Sequence, residues 1–132
     1  YTTLFRSKLE VLNEKKKGII KIIKISGEDS VFLNKYKGDK LSGVVFEIYN
    51  KNNELIEQVC TDENGEAVSK KLEVGLYRIK EKSTINGYIL NKKDFFVNIT
   101  QNEQIEEIVI KNSPIIPKVK IEKKRTRVCR KK

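Results

Sequence analysis

Between Gly18 and Asn112 the apolar residues come in short runs rich in Ile, Val, Phe and Tyr, and no run sustains a helical spacing. The runs are 18–25, 44–49, 55–61, 67–72, 76–81, 95–100 and 104–112, with a shorter one at 88–90. Turn-forming residues stand between them: Ser26-Gly27, Asn50-Lys51-Asn52-Asn53, Asp62-Glu63-Asn64-Gly65, Gly75, Asn86-Gly87 and Gln101-Asn102-Glu103. The Asn-Gly pairs are the strongest of these, because both residues tolerate positive φ. About seven short strands at this spacing predict an all-β fold, an antiparallel Greek-key β-sandwich over 18–112. Residues 1–17 then form a leader or linker. Residues 113–132 form a basic linker that Pro114 and Pro117 separate from the sheet, and 118–124 reads as the first strand of a following repeat.

Charge sharpens that division. The chain has 28 Lys+Arg against 18 Asp+Glu, a net charge of +10, which invites a nucleic-acid reading. Its location argues otherwise. The leader and the tail carry the whole excess, and 18–112 is close to neutral. A basic tail that binds nucleic acid or anionic polymers is therefore a lesser reading, and no nucleic-acid partner is expected for the β-domain. With no His in the chain there is no His-based triad and no imidazole switch. Cys60 and Cys129 are too few for a disulfide scaffold, and Cys60 is expected to be a free, half-buried thiol. No metal, no cofactor and no membrane contact is expected. The Asp62-Glu63-Asn64 turn lacks the further oxygen ligands of a calcium loop.

Strand parity singles out three polar residues. Asn112 shares a face with Ile108 and Ile110, and Glu81 shares one with Tyr77 and Ile79. Lys21 shares parity with Ile19, Ile23 and Ile25, although this strand is apolar on both parities. Two readings of the set are open. In one, Lys21 and Glu81 form a buried ion pair and Asn112 merely ends its strand. In the other, desolvation lowers the lysine pKa and raises the glutamate pKa, which makes a neutral nucleophile beside a proton carrier. Such a carboxyl could polarise the Asn112 carboxamide and shuttle protons as ammonia leaves, giving an internal Lys–Asn isopeptide bond.

A further set of segments belongs together: Ile20-Lys21-Ile22-Ile23-Lys24, Leu41-Ser42-Gly43-Val44-Val45-Phe46-Glu47-Ile48-Tyr49 and Thr61-Asp62-Glu63-Asn64-Gly65. The set extends through Leu72, Gly75, Tyr77, Ile79 and Glu81, then Gly87-Tyr88, to Ile108–Asn112. In these segments the chain resembles the Cna-B-type (SpaA-like, prealbumin-like) repeats of Gram-positive surface adhesins and pilins. The resemblance implies an isopeptide triad of Lys21, Glu81 and Asn112, with Glu81 as proton shuttle. Lys24 and Lys17 are the alternative nucleophiles if the register is shifted. The chain departs from the family's pattern in the long 26–40 loop, in Lys24-Ile25-Ser26 after the first strand, and in Ile85-Asn86 before Gly87-Tyr88.

The function so implied is a structural stalk repeat of a cell-wall-anchored surface protein, extracellular, with its anchor outside this sequence. Its partners are neighbouring repeats of the same polypeptide, with host matrix or wall polymers as further candidates. Self-cross-linking is a single turnover, so the domain is not an enzyme. The alternative is a ligand-binding adhesin module that contacts host matrix or glycans through the 27–40 loop. Residues 1–7 resemble the translation of a common sequencing adapter, which implies that they are not native.

Overall fold

The β-branched opening run forms β1 (Lys17–Ser26), the longest strand in a computed structural model that describes residues 15–116. The strands that follow are β2 (Val45–Tyr49), β3 (Leu55–Cys60), β4 (Glu66–Val68), β5 (Leu72–Glu73), β6 (Gly75–Ser83), β7 (Asp94–Ile99) and β8 (Ile105–Asn112). They build two four-stranded sheets. One has the order β3-β2-β6-β7, and the other gathers β4, β5 and β8 around β1. The fold is the expected all-β sandwich, and no α-helix occurs among the described residues.

Every named pairing is antiparallel but one. β1 and β8 run parallel, in continuous register from Ile19↔Ile105 to Ser26↔Asn112. This pairing lays the first strand beside the last and brings their C-terminal ends to the same end of the domain. The core lies between the sheets. Ile20 and Ile22 of β1 and Ile110 of β8 face Phe46 and Ile48 of β2, Tyr77 and Ile79 of β6, and Val97 and Ile99 of β7, all buried. Removing a ring such as Phe46 from such a core costs about 3–5 kcal/mol.

The turn at Asn64-Gly65 does more than reverse the chain. Gly65 has φ +72°, and a Cβ there would lie 2.9 Å from the carbonyl oxygen of Lys24. This close approach lets the Gly65 carbonyl accept from the Lys24 amide at 2.8 Å, while the Lys24 carbonyl accepts from Leu41 N–H at 3.0 Å. The backbone of Lys24 is therefore clamped on both sides.

Two predicted strands differ. The 67–72 run divides into β4 and β5 because Ser69 turns its hydroxyl to accept from Ile20 N–H at 2.9 Å, and its own N–H donates to the Ile20 carbonyl. The 88–90 run makes a single antiparallel bridge, Tyr88↔Pro114, since Gly87 at φ +91° turns the chain there. Cys60 is exposed rather than half-buried, because it ends an edge strand on the parity opposite to buried Val59. Cys129, residues 1–7 and the 118–124 strand lie outside the described residues.

Candidate cross-linking site

β1 turns its even-numbered positions inward: Gly18, Ile20, Ile22, Lys24 and Ser26 are all buried. Lys24, at 0% exposure, thus projects into the sandwich from the clamped segment. Glu81 arrives on β6, beside Phe46 in register, on the same face as Tyr77 and Ile79, and is 1% exposed. Asn112 ends β8 on the face of Ile110 and is 2% exposed. The parallel register sets Lys24 opposite Ile110 and Asn112 opposite Ser26, so Lys24 and Asn112 are diagonal neighbours on the inner face.

The three polar ends meet. Lys24 Nζ donates to Asn112 Oδ1 at 2.6 Å and lies 2.7 Å from Glu81 Oε1. That ammonium is the only polar partner of Oε1 among the described residues, and it holds the oxygen by charge and closeness rather than by a well-aligned hydrogen bond. Glu81 Oε2 accepts from Asn112 Nδ2 at 2.8 Å and from the Asn91 N–H at 3.0 Å. The second Nδ2 hydrogen goes to Thr84 Oγ1, also at 2.8 Å. The Phe46 ring, its centroid 5.6 Å from Nζ, closes the apolar side. Burial pushes the Lys24 ammonium below its ordinary pKa, opposed by its close polar contact with Glu81 and that carboxylate's charge.

Glu81 and Asn112 thus stand where strand parity put them, and Lys21 does not. Lys21 belongs to the odd-numbered, outer face of β1, where its Nζ lies 3.6 Å from Glu66 Oε2 and its side chain is 31% exposed. The cause is the ambiguity of the strand. Ile19, Ile23 and Ile25 make the outer face the more apolar one in sequence, yet they are only half-buried. Lys17, the other alternative, is exposed at the start of β1. Lys24 takes the place expected of Lys21.

Thr84 and Asn91 were not singled out in the sequence, since both lie on irregular segments where periodicity says nothing. Phe46 was legible as core but not as the wall beside the amine. The 27–40 loop is structured at its tip by the Ser30↔Lys35 bridge. Leu33 turns in against Gly87, while Val31 and Phe32 point out at 93% and 67% exposure.

Residues 18–114 match the family described as SpaA, a prealbumin-like fold domain. The Trypsin-resistant surface T6 protein of Streptococcus pyogenes is 40% identical over 62 residues, which make up 47% of this chain and 11% of that protein. Among solved structures, the Bacillus anthracis TIE protein aligns with TM-score 0.65 and 30% identity over 76% of this chain and 18% of the other. The minor pilin GBS52 of Streptococcus agalactiae aligns with TM-score 0.64 over 77% of this chain and 46% of its own, at 23% identity, which speaks to fold alone. The chain spans between 11% and 46% of the length of these relatives.

Proposed function

Because the chain belongs to the family of SpaA prealbumin-like fold domains, we propose that it is a structural stalk domain of a Gram-positive surface protein, braced by an isopeptide bond between Lys24 and Asn112. One observation carries the reading: an amine, a carboxyl and a carboxamide, all at 2% exposure or less, meet between the first and last strands. The similarity to a streptococcal surface protein supports an extracellular setting, with neighbouring domains of the same polypeptide as its partners.

The chemistry follows from the contacts. Lys24 gives a proton to Glu81 Oε1, 2.7 Å away, which burial favours because it replaces two buried charges with two neutral groups. The neutral amine attacks Cγ of Asn112, and the Nζ–Cγ bond forms as the carbonyl electrons move to Oδ1. A second proton, released by the attacking nitrogen, reaches Nδ2 through the carboxyl group, whose Oε2 is 2.8 Å from it. The Cγ–Nδ2 bond breaks, ammonia leaves, the carbonyl reforms, and Glu81 keeps the first proton.

The product suits a load-bearing module. The parallel pairing of β1 and β8 puts entry and exit of the chain at opposite ends, so tension runs along both strands in shear. A Lys24–Asn112 link passes that tension from β1 to the end of β8 and bypasses residues 25–111. The closed loop, whose ends are 88 positions apart, also stabilises the fold by about 4–5 kcal/mol on the chain-entropy estimate. Pulling on the full chain by its ends tests the reading. The parent should show no release of the bypassed segment, and Lys24→Ala should release about 300 Å of it. A parent that extends as far as the variant contradicts the proposal.

The exposed Val31 and Phe32 favour a second reading, adhesion to host matrix or glycans through the 27–40 loop. Val31→Ser/Phe32→Ser should then weaken attachment of the displayed domain to matrix-coated surfaces at least tenfold. Unchanged attachment removes this reading.

A further inference from the structure

The bond proposed above releases ammonia from a site whose three reacting groups are almost completely shielded from water. Asn112 Nδ2 has two hydrogens, one on Glu81 Oε2 and the other on Thr84 Oγ1. Thr84 follows β6 directly and is half-buried, which makes it, among the described residues, the only partner of the departing nitrogen that is not fully buried. We propose that Thr84 is a positioning residue for isopeptide formation, fixing the Asn112 carboxamide in the plane that Lys24 attacks and giving the released ammonia its first polar contact on the way out. This rests on the cross-linking reading and deepens it.

Three contacts fix the carboxamide: Lys24 on its oxygen, and Glu81 and Thr84 on its nitrogen. The first two belong to the reacting pair. Once the proton has moved from Lys24 to Glu81, the amine is a weaker donor to Oδ1 and the carboxyl a weaker acceptor for Nδ2. Both therefore loosen their hold at the moment of attack. The Thr84 hydroxyl alone keeps its protonation state throughout, so it is the contact that can hold rotation about the Asn112 Cβ–Cγ bond when the nucleophile approaches. It also satisfies an N–H that would otherwise be buried without a partner. Once the Cγ–Nδ2 bond breaks, its electron pair becomes the lone pair of ammonia and the hydroxyl can turn and donate to it, a role no alkyl group of the same size can fill.

The test follows the full chain after synthesis and reads the cross-linked fraction against time by intact mass. Thr84→Ser keeps the hydroxyl and should cross-link within threefold of the parent rate, whereas the near-isosteric Thr84→Val should slow the reaction at least tenfold. Thr84→Ala, which has neither hydroxyl nor added methyl, should be slow as well and carries the comparison if the valine chain does not fold. Circular dichroism of each variant on a Lys24→Ala background, where no bond can form, separates chemistry from folding. Equal rates for the parent and either hydroxyl-free variant overturn the assignment, as does a serine variant as slow as valine. A parent chain that never loses ammonia instead refutes the cross-linking reading on which the assignment rests.

Discussion

Lys21 and Lys24 sit three residues apart on one strand, each facing a glutamate, and they live in different solvents. On the outer face of β1, Lys21 and Glu66 keep about a third of their side chains in water and stand 3.6 Å apart. On the inner face, Lys24 and Glu81 have no exposed side-chain surface and stand 2.7 Å apart. A pair of the first kind is worth about 0–1 kcal/mol, because water screens the charges and the long side chains lose entropy in holding one geometry. Removing one partner of the second kind costs about 3–5 kcal/mol, because a buried charge is left alone. In the proposed chemistry, reactivity comes from the face and not from the residue. Only the desolvated pair would gain by passing a proton and becoming neutral.

That contrast can be broken in order of effect. The largest change is expected from Lys24→Ala, which removes the nucleophile, strands Glu81 and opens the loop. Denaturant unfolding should show a loss of more than about 4 kcal/mol, with the intact mass back at the sequence value. Glu81→Gln should come next. The amide keeps the shape of the side chain but cannot take the Lys24 proton, so intact mass should show no ammonia loss, with a stability loss of about 3 kcal/mol or more. At the small end, Lys21→Ala should leave the cross-link complete and change stability by under about 1 kcal/mol. A Lys21→Ala chain that keeps its ammonia would reverse the assignment of the two lysines.

A pH series sharpens the same comparison. In Asn112→Ala the bond cannot form and Lys24 remains a buried amine with a lowered pKa. Between that folded value and the ordinary lysine value, the unfolded chain holds a proton that the folded chain has released. Stability therefore rises with pH across the window, by at most about 1.4 kcal/mol per unit. The Tyr77 hydroxyl, raised by burial, acts in the opposite direction once unfolded tyrosine ionises, so the series stops below about pH 9.5. Urea unfolding of Asn112→Ala against Lys24→Met/Asn112→Ala should show the rise only in the former. Parallel profiles would mean that Lys24 is not desolvated in the folded chain.

The same two faces explain what could be read from the sequence. β6 and β8 alternate cleanly around Glu81 and Asn112, with Ile79 and Ile110 buried beside them, so parity placed both residues correctly. β1 carries isoleucine on both faces, its outer side being half-buried, and parity there favoured Lys21, which lies on the outer face, over buried Lys24. The parallel register resolves the ambiguity. Asn112 ends β8, so its partner must lie near the C-terminal end of β1, where Lys24 is and Lys21 is not. Thr84 and Asn91 stayed hidden for a different reason: their contacts arise from loop paths that only the assembled sheets determine.

Proteolysis of the unmodified full chain followed by tandem mass spectrometry addresses the central claim most directly. The expected result is an intact mass lighter by one ammonia, with one branched peptide joining Lys24 to Asn112. A chain at full sequence mass, or a branch at Lys21, would contradict it.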